Sequence, residues 1–407
     1  MMSKNKYEWF MLFSQLLAQL SDKITSLGLI WYITTQFGES WLTWYLVIGG
    51  LPHLLLSGYS GRVIQQWTAI KTVYYSDLAR AFLFVISFFY FESELKHDSS
   101  LYMLLALIFS VNVFSAFFNP AILTLPLEVE DEERVQTLTA RLTTVSSLTT
   151  VIGPLLGLVL FNQFGLKGLF VINFICYAIS SFFARKLFRV SLLGGIDKKN
   201  NLPGVESSFH SVPIWESLGR NKLIAVMLLL FLFMNLFLSP IQVLMPVLAK
   251  NLFSKSFNVL AYMELFFGLG VVFGGLFLSL VSIHRRELFW VWFFLLFFSL
   301  IFVLFHFQEN LFFILICLLL MGVTLGLVNV LIVHLFQEHP LKTDVPNIMS
   351  VVNLISTASV PVSLSLLALL QKYMSVIILS RMSSLVLLAL VMVSVYPFKK
   401  LGKDLFQ

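Results

Sequence analysis

The sequence predicts an all-α integral membrane protein with twelve transmembrane helices in two six-helix, pseudo-symmetric bundles. Three observations predict it. Hydrophobic residues make up 58% of the 407 residues and charged residues only 12%, against about one quarter charged in a soluble domain. The apolar residues fall into runs of about 20, the length that crosses a bilayer core of about 30 Å. The runs come as six, a polar stretch, and six more.

Taken in order, the first six spans fall at about 9–34, 42–64, 71–92, 100–125, 137–162 and 165–187. The polar stretch, about 188–220, contains Asp197, Lys198, Lys199, Pro203 and Gly204. Six further spans follow at about 221–248, 257–283, 288–306, 310–336, 346–371 and 374–397. The expected organisation is an N-terminal bundle (1–187), a cytoplasmic linker (188–220), a C-terminal bundle (221–398) and a cytoplasmic tail (399–407). The opening MMSKNKYEWF is basic and then apolar like a signal peptide, but its apolar run is too long and lacks a small-residue cleavage site, so it reads as a retained first helix.

Orientation follows from the loop cations. With an even number of spans, eighteen Lys and Arg lie on the side of the termini and linker and five on the other, which places both termini in the cytoplasm. The net charge of +6 sits in these short loops and tails and forms no basic face for nucleic acid. Cys176 and Cys317 both lie inside apolar runs, so neither a disulfide framework nor a metal site is expected. No phosphate-binding glycine loop, metal-ligand cluster or nucleophile elbow stands out, and no soluble segment is large enough to hydrolyse ATP. An enzyme is not expected, and an ion gradient or the substrate's own gradient has to supply the energy.

The stretch Leu51–Ala81, LPHLLLSGYSGRVIQQWTAIKTVYYSDLARA, joins the second and third spans through a short polar connector, Arg62 to Lys71, preceded by Gly58 and Gly61. Gly61, Lys71, Ser76, Asp77, Leu78, Arg80 and Ala81 resemble the loop between helices 2 and 3 of major facilitator superfamily transporters, in the branch of the macrolide-efflux and enterobactin-exporter proteins. Gln65 and Gln66 stand where that branch has Asp and Arg. The pair Gly153-Pro154, followed by Gly157, resembles the core of the antiporter motif in helix 5 of the superfamily, with Ser146, Ser147 and Thr149 where the fuller motif has glycines. Pro removes a backbone donor and bends a helix, and Gly allows a close neighbour. The two halves also read as weak repeats: Asn119-Pro120 and Asn329 each precede a charged loop and a proline-containing helix, with Pro154 and Pro361 in matching places.

Charge inside a membrane span is costly and needs a reason. Asp22 falls near the middle of the first span. It is either a proton-coupling carboxylate, whose protonation lets the helix reorient without moving a bare charge, or one half of a fixed ion pair with Lys23 or Arg80. Asp77 and Arg80 are three apart and share a helix face, as expected of a self-neutralising pair. Arg141 lies in the first turns of helix 5, where it can snorkel and serve a gate. Glu264 precedes a glycine run, Gly268, Gly270, Gly274 and Gly275, and is the second coupling candidate, with Arg381 at similar depth in the last helix. Asn235 and Gln242 flank Pro240 in helix 7 and are the expected cavity-lining residues, because a broken helix is a standard place for a transporter site. His334 reads as a loop anchor, and Asn112, Asn119, Asn173, Asn329 and Asn353 as interhelical hydrogen-bond partners.

The resemblance implies a monomeric secondary transporter in the inner membrane of a bacterium, without cofactor, whose partners are a small-molecule substrate, a proton or other ion, and the bilayer. The expected activity is proton-coupled export of an amphipathic compound such as a drug or antibiotic. The alternatives are export of a siderophore or other secreted metabolite and, in a different class, a non-transporting membrane scaffold or sensor on the same fold. The topology has a direct check: a reporter active only outside the cytoplasm, fused after Gln407, is expected to stay silent, and a strong signal overturns the orientation.

Overall fold

The computed structural model describes residues 4–92, 97–129, 132–193, 222–253, 256–281, 286–338 and 345–401. All regular structure among them is helical. The chain divides into two compact units, Met1–Ser207 and Ser208–Gln407. From residue 194 on, the expected linker lies outside the described residues, as does the tail from residue 402.

The first unit contains α1 (Lys4–Gln36), α2 (Glu39–Trp67), α3 (Ala69–Glu92), α4 (His97–Val129) and α5 (Glu132–Leu193). At 62 residues α5 is about 93 Å long, enough for two crossings. Its two halves join at Gly165, whose φ of 60° and ψ of −164° interrupt otherwise helical dihedrals. A positive φ costs a side-chain-bearing residue and costs glycine nothing. The second unit contains α6 (Lys222–Leu238), α7 (Ile241–Asn251), α8 (Phe257–Leu280), α9 (Glu287–Phe305), α10 (Leu311–Glu338), α11 (Val345–Leu370) and α12 (Val376–Leu401). Here α6 and α7 form one apolar stretch of 30 residues broken once. Counting α5 as two crossings and α6–α7 as one is consistent with twelve. Nine of the described segments are long and apolar enough to cross a membrane. α1 is not one of the nine, because Gln15, Gln19, Ser21, Asp22 and Lys23 run through its middle.

The two units are wired alike. In the first, α1 and α3 pack on α5, while α2 and α3 pack on α4. In the second, α6 packs on α11, α8 and α9 pack on α10, and α9 packs on α12. This is the pairing a six-helix repeat requires.

Between α2 and α3 the structure differs from the sequence expectation. The polar connector expected at Arg62–Lys71 is helical on both sides of a single residue, Thr68, with φ of 74°. Its N–H closes α2 on the Ile64 carbonyl at 2.9 Å. On the other side the Glu128 carboxylate of α4 accepts from the N–H groups of Ala69 (2.6 Å) and Ile70 (3.3 Å). A carboxylate at a helix N-terminus satisfies donors that have no partner within the helix, so no longer polar loop is needed.

In the second unit α8 and α10 touch backbone to backbone. A Cβ on Gly270 or Gly274 would overlap the carbonyl oxygens of Leu319 and Val323, and one on Gly322 or Gly326 would overlap those of Phe267 and Val271. The seam is reciprocal, with small residues four apart on both helices, which is how membrane helices approach most closely. Gly322→Ala is therefore expected to destabilise the protein by about 1–3 kcal/mol, read as a lower melting temperature in detergent. Gly275→Ala, whose Cβ would meet nothing within 4 Å, should leave it unchanged.

Candidate functional site

Two acids of the first unit, Asp22 and Asp77, converge on Arg80. The residue sits on α3 with no exposed surface. One guanidinium nitrogen donates to Asp77, one turn earlier on α3. The other lies 3.4 Å from the Asp22 carboxylate of α1 and 3.3 Å from Ser115 Oγ of α4. The guanidinium plane is flanked by Phe118 (4.3 Å to the ring centroid) and Tyr177 (4.6 Å), an arrangement in which ring faces replace part of the lost hydration. The remaining nitrogen, Nε, has no hydrogen-bond partner among the described residues.

The second half of α5 completes the cluster. The Tyr177 hydroxyl donates to Asp22, and its ring stacks on Phe84 at 5.8 Å. Ser180 Oγ bonds Asp77 and Ser14, and Asn173 bonds Ser21. These partners are polar residues at helical spacing on two helices: Ser14 and Ser21 on α1, and Asn173, Tyr177 and Ser180 on α5. Of that stripe the sequence marks Asn173 as an interhelical partner, while Ser14, Tyr177 and Ser180 are missed because no charge or motif singles them out. His53 on α2 lies within electrostatic reach of Asp22 and shares a 3.0 Å hydrogen bond with Asn112 of α4.

The two acids differ in access. Asp77 is fully buried, whereas the Asp22 side chain is 37% exposed. Lys23, adjacent in sequence, is exposed, and its stem packs against Gly153. Gly157 in turn receives Ile24 and Leu27. The Gly153-Pro154 motif thus seats α1 on α5. The backbone around Pro154 keeps helical dihedrals, and the non-helical residue of α5 is Gly165. Gly61 lies in α2, and its surroundings fall outside the described residues.

Each unit holds further candidates. Arg141, half exposed, pairs with Glu8 of α1 beside a cavity of about 660 Å³ lined by Trp9, Arg134 and Thr144. In the second unit Pro240 deprives the Leu236 carbonyl of its helical donor, and Ser363 Oγ of α11 supplies one. Asn235 bonds back to the Phe231 carbonyl at 2.8 Å, and Gln242 lies half-buried in the first turn of α7. Glu264 is half-buried on α8. Arg381 donates to the His306 carbonyl at 3.0 Å, which closes the end of α9.

A helical membrane bundle with duplicated wiring and a buried charge cluster fits a membrane transporter. The Major Facilitator Superfamily profile matches residues 11–364, and the chain belongs to that superfamily of transporters. Macrolide efflux protein A of Streptococcus pyogenes is 21% identical over 362 residues, 87% of each chain. Among solved structures, a POT family transporter in complex with a thioalcohol-conjugated peptide superposes with a TM-score of 0.69 at 13% identity, covering 97% of this chain and 96% of its own. A bacterial homologue of the iron transporter ferroportin, in an inward-facing state, gives 0.69 at 17% identity, covering 96% and 98%. These likenesses establish the fold.

Removing one partner from a buried ion pair costs about 3–5 kcal/mol, because the other charge is left uncompensated. Arg80→Gln is expected to lower the yield of folded protein accordingly, measured as the monodisperse fraction on size-exclusion chromatography. Adding Asp77→Asn to it should restore much of that yield.

Proposed function

We propose that this transporter couples proton entry to export of an amphipathic small molecule, with Asp22 as the coupling carboxylate. What supports the reading most is the division of labour between two acids around one cation. Arg80 keeps Asp77 as a permanent, water-free partner, so protonating Asp22 strands no buried cation. With both acids ionised the trio carries one net negative charge, and one proton on Asp22 neutralises it. A neutral cluster crosses the low-dielectric interior more cheaply than a charged one. Asp22 has the exposure that proton exchange with water requires, and Tyr177 holds its other oxygen.

Export and an amphipathic substrate rest on the likeness to macrolide efflux protein A. In this reading the termini face the cytoplasm, residues 188–220 link the bundles at 1–187 and 221–398, and Glu264 is the second coupling candidate. Arg141 with Glu8, and Asn235 with Gln242, are the gating and cavity-lining groups. Siderophore or other metabolite export predicts the same coupling and differs only in cargo. Accumulation of labelled drugs and of endogenous metabolites, compared in cells with and without the gene, separates the two.

The coupling itself is tested by Asp22→Asn in proteoliposomes loaded with a radiolabelled macrolide. The variant is expected to insert and fold at the wild-type level and to exchange the macrolide downhill. It should show no acceleration when a pH gradient is imposed. A well-folded Asp22→Asn protein with normal pH-driven efflux removes Asp22 from the mechanism and passes the role to Glu264.

A further inference from the structure

Three potential metal ligands meet at one end of the second unit. Glu287 opens α9, while His334 and Glu338 lie one turn apart at the end of α10. His334 Nδ1 is 3.4 Å from a Glu287 oxygen and 3.4 Å from a Glu338 oxygen. All three ligand atoms lie within 4.8 Å of one another. In a tetrahedral zinc site, bonds of about 2.0–2.1 Å set ligand atoms about 3.3–3.4 Å apart, so both measured spacings match a tetrahedral edge. A hydrogen-bonded histidine explains the cluster less well, because Nδ1 carries at most one proton and satisfies one of two equidistant carboxylates. The side chain of Glu287 is 8% exposed, and burying a carboxylate is favourable only when a cation or hydrogen-bond donors are held against it. The N-terminus of α9 favours an anion at Glu287 but does not account for His334 and Glu338 converging on it.

The first unit provides the contrast. Glu128 lies nine residues after Asn119, as Glu338 lies nine after Asn329. Glu128 caps α3 directly through two backbone N–H groups. At the matching place in the second unit, Glu338 instead meets a histidine and a second carboxylate.

We propose that Glu287, His334 and Glu338 bind a divalent transition-metal ion of the zinc type, with water in the fourth position, tying the start of α9 to the end of α10. This site is independent of the transport reading and of Asp22.

The test uses the full chain in detergent, with any affinity tag removed and metals stripped by chelator. Zinc is added in equilibrium dialysis, with metal content and melting temperature as readouts. The wild-type chain should retain about one zinc ion and melt at a higher temperature with zinc than without. His334→Ala and Glu338→Gln should each weaken binding at least about tenfold and lose the zinc-dependent rise in melting temperature. Both positions are exposed enough for the variants to fold, so the result does not depend on altering buried Glu287. Unchanged zinc affinity in both variants, or no zinc on the wild-type chain above that of protein-free micelles, overturns the site.

Discussion

Burying one guanidinium governs the first unit. A cation with no access to water costs several kcal/mol unless a carboxylate is held against it, and Arg80 has no exposed surface. Asp77 supplies that carboxylate from the same helix. Further partners come from outside: Asp22 from α1, Ser115 and Phe118 from α4, and Tyr177 from α5. Four helices are thereby referenced to one side chain. In a bilayer, where apolar burial gives little preference for one helix pairing over another, such a reference specifies which faces meet. It also explains why Ser180 binds Asp77 rather than remaining a simple packing contact.

The second unit has the same pairing of helices and reaches it differently. Its tightest contact, α8 on α10, uses no charge and almost no side chain. Four glycines bring peptide groups into van der Waals contact along more than one turn. The two units thus show the two ways open to membrane helices that cannot rely on hydrophobic burial: a polar cluster that fixes orientation, and a small-residue seam that maximises dispersion contact. The first leaves ionisable groups where water can reach one of them. The second leaves a rigid pair.

Much of this was legible in the sequence. Apolar runs carry the fold class, since crossing a bilayer imposes length and composition on every helix. Asp22, Asp77 and Arg80 stood out because charge inside a span is expensive. Their joint placement was not legible, because which face of α1 meets α3 depends on tertiary packing. The partners Tyr177, Ser180 and Ser115 are common residues whose significance comes only from the cation between them. The polar segment between α2 and α3 read as a loop because charge and glycine cluster there, yet the chain needs only Thr68 once Glu128 caps the next helix. Glu287 and His334 are 47 residues apart, with no spacing motif to link them. Gly322 and Gly326 were overlooked although their counterparts on α8 were noticed, since a seam is visible only when both sides are known.

The interruption between α6 and α7 has a mechanical consequence. An intact helix resists bending because several ladder hydrogen bonds must yield together. At Pro240 that ladder is already open, and one hydroxyl, from Ser363, closes it across to α11. Such a bond contributes about 0.5–1.5 kcal/mol net, close to thermal energy. The stretch from Lys222 to Asn251 therefore behaves as two stiff rods on a latched joint, and releasing the latch requires one side-chain rotation in α11 rather than the unwinding of a turn.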